Sequence, residues 1–281
     1  MHPDDMQERK MKMARCRICS KATMHLFDGL VLGNINIAYF RCGSCGYIQT
    51  EEPYWLEKAY FRIIAELDVG LVSRNLKSAD IVEKILLSHF VPQGPFLDYG
   101  GGYGLFVRLM RDRGFNFFRQ DKHCQNLFAA GFDIADIPET SNFSLVTAFE
   151  VFEHLLSPCD EASKLLALSD TLLFSTEIVP QTPITASDDW WYFAPETGQH
   201  IGFFTMPSLE QLARVNRCHL YSNGKNLHLL SRRKFAQNPF DCLSPKQGLR
   251  SFFAKRPTHS RPASLIKHDF NLIRSRFKTD A

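Results

Sequence analysis

The sequence predicts an α/β chain, a doubly wound Rossmann-like sheet with a ligand loop after its first strand, preceded by a small module built on cysteine pairs. Three observations predict it. The segment FLDYGGGYGLF, residues 96–106, reads as buried strand, glycine turn and helix start. The apolar run FNFF, residues 115–118, reads as a second buried strand that closes on Asp121. Cys16 and Cys19 in CRIC, with Cys42 and Cys45 in CGSCGY, make two CxxC pairs separated by 22 residues.

In the first segment Asp98, Gly100, Gly102 and Gly104 alternate as DxGxGxG. A strand ending at Tyr99 delivers the chain into a turn where glycine tolerates positive φ and lets backbone amides approach a ligand closely. Residues 104–113 follow as a helix. A dinucleotide-binding turn wants a small residue three positions after Gly102, for close helix–strand packing. Leu105 stands there instead, which speaks against NAD. Asp121, about 20 residues past the loop, is placed to accept hydrogen bonds from two ribose hydroxyls. The other reading makes it the N-cap of KHCQNLFAAG, and both can hold.

An acidic residue before an alternating-glycine loop resembles the S-adenosylmethionine (SAM) loop of class I methyltransferases. The resemblance implies a seven-stranded sheet, SAM held at Asp98, Gly100, Gly102 and Gly104, its ribose on Asp121, and Asp136 in FDIADIPE at the adenine. SLVTAFEVFEHLLSP, residues 144–158, resembles the family's fourth strand and the segment after it. Glu150 then stands at the strand end, facing the methionine group of SAM or the acceptor, with Glu153 and His154 one helical turn on. A second reading has Glu153 satisfying backbone amides at a helix start and His154 packed under a loop.

The cysteine pairs present four thiolates, Cys16, Cys19, Cys42 and Cys45, in the closed tetrahedral set that structural zinc prefers. A hairpin through LVLGNINIAYF absorbs the gap between them. Iron, a redox pair and disulfides are the alternatives. The first 15 residues contain no apolar stretch of signal-peptide type and no run of 18 apolar residues occurs anywhere, so the expected setting is cytoplasmic, where thiols stay reduced. Cys124, Cys159, Cys218 and Cys242 have no partner in sequence and read as ordinary buried thiols.

At 281 residues and 44% hydrophobic, the chain can bury one substantial core with a small satellite. Its net charge of +3 is unevenly spread: residues 232–281 hold 12 of the 33 Lys and Arg but only 3 of the 30 Asp and Glu. The organisation expected is a polar leader over 1–13, a zinc ribbon over 14–50, a helical linker over 51–93, a catalytic domain over 94–231 and a basic tail over 232–281. The linker carries two helical patterns, the second opening on Ser78 as N-cap. Residues 171–179 read as the fifth strand, SLEQLARVN as a helix opening at Ser208, and 218–223 and 226–231 as two last strands around the Asn223-Gly224 turn. In the tail Ile266, Phe270, Ile273 and Phe277 recur at helical spacing. That face is read as docking on the core or a partner, ahead of an anionic membrane surface or nucleic acid.

Residues 180–206 have neither helical nor strand period and are rich in proline and aromatics, so they are the candidate acceptor pocket. Trp190, Trp191, Tyr192 and Phe193 offer flat surface for a sugar or base, Tyr192 adding a hydroxyl; the alternative is a lid packed on its own hydrophobes. Within it GQHIGFFT resembles the active-site stretch of zinc-containing nucleotide-sugar C-methyltransferases, which implies His200 as base. Those relatives carry glutamate where Gln199 stands, and they are longer at the carboxyl end. With a pKa near neutrality His200 would take a proton from a hydroxyl or amine; a structural histidine is the other reading. Glu150 and Tyr192 are the further catalytic candidates.

Two function classes follow. One is a methyltransferase for a small acceptor, a nucleotide sugar or glycan-pathway intermediate methylated on O, N or C. The other is an RNA methyltransferase gripping nucleic acid with ribbon and tail, against which the acidic body speaks. A binding protein without catalysis is the third.

Overall fold

The computed structural model describes residues 15–61, 68–137, 142–243 and 258–279. The leader over 1–13 lies outside the described residues. The chain divides into two compact units, one comprising Met1–Ala65, Glu150–Leu165 and Phe174–Arg232, the other Glu66–Phe149, Leu166–Leu173 and Arg233–Ala281.

The first unit opens with three antiparallel strands, β1 (Thr23–Val31), β2 (Ile35–Cys42) and β3 (Ile48–Thr50). The expected hairpin is β1–β2. The module does not end at residue 50, because β3 pairs with a strand from the aromatic segment, Gly202–Phe203. That pairing joins residues more than 150 positions apart, which no local pattern signals. A four-residue helix, α1 (Leu56–Ala59), follows β3.

The second unit carries α2 (Leu71–His89), then β4 (Pro95–Tyr99), α3 (Leu105–Asp112), β5 (Asn116–Gln120) and β6 (Leu145–Ala148). Helix α2 begins seven residues before Ser78, which sits inside it. Its first turns are exposed, Val72 and Leu76 included, so the apolar stripe of Ala79, Val82, Ile85 and Leu86 starts late and gave a false N-terminus. Strands β4 and β5 run parallel with Pro95 opposite Asn116, and β4 and β6 with Phe96 opposite Leu145. The side chains of β4 and β6 are buried on both faces, as in a sheet covered by helices, while β5 alternates between buried and partly buried.

Beyond these come α4 (Pro158–Leu168), β7 (Thr171–Ser175), β8 (Gly202–Phe203), α5 (Met206–Val215), β9 (His219–Ser222) and β10 (Leu227–Ser231). The main sheet has the order β5-β4-β6-β7-β10-β9, with β9 antiparallel to β10. It is the expected mixed α/β sheet, with six strands among the described residues. At the outer edge of β5, where a seventh strand would lie, a single parallel bridge joins Arg119 to Asp133. β7 stops at Ser175, short of the expected 179, because the chain turns aside there. Val179 donates its N–H to the Phe204 carbonyl, and Ile178 forms a bridge with Phe204. Helix α5 starts at Met206 under a Thr205 cap; Ser208 is its third residue, exchanging side-chain and backbone hydrogen bonds with Thr205.

The tail ends in α6 (Ile266–Thr279). Its anchor is polar. Asp269 accepts from Arg111 Nε and Nη2 at 2.8 and 2.7 Å, and Arg111, on α3, is only 1% exposed. The same guanidinium donates to Asn116 Oδ1 and the Phe117 carbonyl, and lies 3.7 Å from the Phe132 ring centre. The tail face expected to dock does not follow its apolar period: Ile266 and Phe270 are exposed, and the side chain of Phe277 lies outside the described residues. A buried ion pair overrode the period. No helix among the described residues is long and apolar enough to cross a membrane.

Candidate active site and cysteine centre

Strand β4 is followed by three glycines in left-handed backbone, Gly100 at φ 67°, Gly102 at 53° and Gly104 at 84°. Gly104 is the N-cap of α3, and a side chain there would run into Asn126 and Ala129. A Cβ on Gly102 would meet nothing within 4 Å, so the space beside its Cα is open. That is what a bound ligand needs. The fit to SAM rests on this cradle and on Asp121 beside it. Asp121 Oδ2 accepts from the Gly102 N–H at 2.9 Å, and Oδ1 from the N–H groups of His123 and Cys124 at 2.8 Å each. No helix forms over KHCQNLFAAG, so these bonds close a turn and the N-cap reading is not met. Oδ1 is saturated by its two bonds, and Oδ2 keeps a second lone pair for a hydroxyl.

Asp98 lies under the loop. Thr147 Oγ1 donates to its Oδ1 at 2.6 Å, and a side chain on Gly101 would press on its Oδ2. Burial pushes its pKa up to about 7, against the hydrogen bond from Thr147 and with help from the charge of Asp121. Arg119 went unnoticed in the sequence. From β5 its Nε donates to the Gly102 carbonyl at 2.7 Å, its Nη1 to Asp133 Oδ1 at 2.7 Å, and its Nη2 to the Cys124 carbonyl. It fastens the loop to the segment after β5. A lone arginine within the buried strand NFFRQ was the signal. Asp136 is engaged locally: its Oδ2 accepts from the Asp133 N–H at 2.9 Å, and Oδ1 pairs with Arg276 of α6 at 3.3 Å.

In the other unit, Cys16 and Cys45 place their sulfurs 3.6 Å apart, Cys19 and Cys42 3.4 Å, and all four lie within 4.8 Å of one another. A disulfide is about 2.05 Å long, so these are thiols. A zinc tetrahedron with bonds of about 2.3 Å has edges of about 3.8 Å, close to the spacing seen. The Ile18 N–H points at Cys16 Sγ from 3.4 Å. The hydrogen bond from Cys45 draws the Cys16 thiol down to about 5, the thiolate that metal requires. Arg17 locks the first knuckle by donating to the carbonyls of Thr50, Glu51 and Ile201. Cys159 is a partly buried thiol packed on the carbonyl of Ile18.

The same unit contains the residues after β6. Glu150 has φ 53°, rare for a side chain of its size. Its N–H donates to Ser175 Oγ at 2.8 Å, and that hydroxyl donates to Glu150 Oε1 at 2.5 Å. Glu153 and His154 lie in a 3-10 turn, Phe152–His154, not a helix start. Glu153 is fully buried, and burial with the nearby Glu150 charge pushes its pKa well up. His154 Nδ1 is 3.0 Å from the Gln199 carbonyl and His200 Nδ1 2.6 Å from the Tyr192 carbonyl. A carbonyl only accepts, so both Nδ1 atoms carry the proton and both Nε2 atoms keep a lone pair. The rings stand 4.8 Å apart, edge to face. Burial lowers His154 to about 3, with the His200 charge adding to it, and lowers His200 to about 4, so the near-neutral pKa expected for His200 gives way to an imidazole that is uncharged above about pH 4.

The aromatic platform is corrected in three of its four members. Trp190, Tyr192 and Phe193 are buried, Phe193 against Tyr39 and Phe203, so they form the core of this unit. Tyr192 turns its hydroxyl to Thr176 Oγ1 at 3.4 Å, away from solvent. Only Trp191 is open, at 72% exposure. Gln199, standing where glutamate was expected, donates to the Ala59 carbonyl at 2.9 Å.

Among solved structures, similar chains include CalO1, a methyltransferase in calicheamicin biosynthesis (15% identity, 63% of this chain and 61% of that one, TM-score 0.38). Others are magnesium protoporphyrin IX methyltransferase from Synechocystis (12%, 64% and 92%, 0.37) and a putative methyltransferase in complex with the Haloferax volcanii Trm112 activator (12%, 60% and 96%, 0.43). The chain thus spans about three fifths of CalO1. No curated protein matches the sequence. The family model described as methyltransferase domain matches residues 73–216, just over half of the chain and including the glycine loop, Asp121, Glu153, His154 and His200. The chain belongs to the methyltransferase-domain family.

Proposed function

We propose that the protein transfers a methyl group from SAM to a small acceptor, a nucleotide sugar or glycan-pathway intermediate, at an O, N or C atom. The open cradle at Gly102 beside Asp121 carries this reading. Bound SAM supplies a methyl carbon made electrophilic by its sulfonium. The open face of the 100–104 loop seats the cofactor, Asp121 takes its ribose, Asp136 borders the adenine, and Glu150 faces the methionine group. Asp98 supports the loop from below. The acceptor atom bonds to the methyl carbon as the carbon–sulfur bond breaks, and His200 Nε2 is the proton acceptor. Tyr192 acts as a positioning residue, because its carbonyl orients the His200 ring. In-line placement supplies most of the rate. The four cysteines hold a structural zinc.

The RNA reading is less well supported, because described basic residues of the tail are already engaged. Arg261 pairs with Glu83, Arg276 with Asp136, and Arg233 stacks on Phe90 and Phe235. A thermal-shift screen in the presence of SAM, comparing nucleotide sugars with RNA oligonucleotides, tests the choice. Stabilisation by a sugar nucleotide, followed by transfer of labelled methyl to it, is the expected result; salt-sensitive binding and methylation of RNA alone would overturn it.

A further inference from the structure

We propose that Glu153, His154 and His200 form a second metal site, binding a divalent first-row transition cation through one carboxylate oxygen and two imidazole Nε2 atoms. The three side chains offer donor atoms that all lie within 4.8 Å of one another, and all three belong to one compact unit. Each ring is fixed as a ligand-ready tautomer, with Nδ1–H held by a main-chain carbonyl, that of Gln199 for His154 and that of Tyr192 for His200. Carbonyl-held Nδ1–H with free Nε2 is the arrangement that orients histidine toward metals.

The carboxylate is the second, independent observation. Glu153 is 0% exposed, and neither of its oxygens receives a hydrogen bond of ordinary geometry, although the Tyr192 and Thr176 hydroxyls lean toward it. A buried carboxylate left without donors is costly, and a cation beside it removes the cost. Glu153 Oε1 stands 4.0 Å from His154 Nε2. Donors around a tetrahedral cation at about 2.1 Å are about 3.4 Å apart, so a small closure of two side chains seats the ion. Two imidazoles and a carboxylate suit the borderline cations from Mn²⁺ to Zn²⁺ more than Mg²⁺ or Ca²⁺.

Three protein ligands leave open positions, and the His154 side chain keeps 20% exposure. The site is therefore of the open type that accepts a substrate oxygen, unlike the closed cysteine centre. This goes beyond the function proposed above and does not need it. With the cation seated, His200 Nε2 is a ligand in place of the proton acceptor proposed above, and an acceptor hydroxyl bound to the metal would give its proton to water.

The test is cobalt titration of the chelator-stripped full chain, with metal content measured after desalting. The wild type should take two equivalents. One should show intense thiolate-to-cobalt absorption, the other only weak d–d bands of nitrogen and oxygen ligation. Glu153→Gln and His200→Ala should each weaken the second equivalent by at least about 100-fold while keeping the thiolate absorption, which reports that the unit still folds. Wild-type protein that binds a single, thiolate-ligated cobalt overturns the proposal even if neither variant folds. So does a second equivalent that persists unchanged in both variants. Loss of the thiolate absorption alone would instead count against the cysteine centre.

Discussion

Replacing Asp98 by asparagine should stabilise the protein in a pH-dependent way. Asp98 is 3% exposed beneath the glycine loop, and its pKa is raised from 3.8 to about 7, chiefly by burial. A carboxyl raised on folding contributes no penalty below its unfolded pKa and progressively destabilises the native state as pH climbs toward the folded value. At 1.36 kcal/mol per pKa unit, the ionised side chain costs about 4 kcal/mol above pH 7 but only about 1.5 kcal/mol at pH 5. Asparagine keeps an acceptor for the Thr147 hydroxyl and carries no charge to bury. Urea unfolding of both proteins at pH 5 and pH 8 should show the variant's advantage growing by about 2 to 3 kcal/mol between the two. An advantage that does not change with pH, or a variant less stable at pH 8, would refute the reasoning.

Asp269→Ala should destabilise the second unit by about 3 to 5 kcal/mol in urea unfolding, because it strands the buried Arg111 guanidinium; Arg111→Met with Asp269→Leu should recover most of that loss. Cys42→Ser should abolish one equivalent of zinc by metal analysis and raise amide exchange through β1–β3. His200→Ala should lower kcat by about 100-fold with SAM affinity intact, and the acidic limb of the wild-type profile should fall near pH 4, where burial places the ring, not near 6.5. Trp191→Ala should mainly raise the acceptor KM, on the proposal that the acceptor stacks on this exposed ring before and during transfer alike.

What could be read from the residues alone was what adjacent residues encode. The strand, turn and helix around DxGxGxG stand where the sequence put them, because positive φ can be met only by glycine at those places. The four cysteines converge as their CxxC spacing requires. Three of the misses share one cause, pairing over long separation. Nothing in IQT or in GFF announces that β3 takes its neighbour from the far end of the aromatic segment. Trp190, Tyr192 and Phe193 look like a binding face because their run has no period, and only the hairpin packed against them makes them core. The tail's Asp269 was invisible beside the apolar spacing around it, since a single buried ion pair leaves no periodic trace. Arg119 and Thr147 could have been found: a charged or hydroxyl side chain inside an apolar strand must meet a partner.

The central claim is that the 100–104 loop and Asp121 bind SAM, and calorimetry of SAM binding to the wild type, Gly102→Val and Asp121→Ala tests it most directly. A valine side chain would fill the open space before Gly102, and alanine would remove the carboxylate proposed to meet the ribose. The account predicts saturable binding by the wild type and at least about tenfold weaker binding by each variant, from the loss of one or more hydrogen bonds worth about 1.5 to 3 kcal/mol when charged. Equal SAM affinity in all three proteins, with their folds intact by circular dichroism, would contradict it.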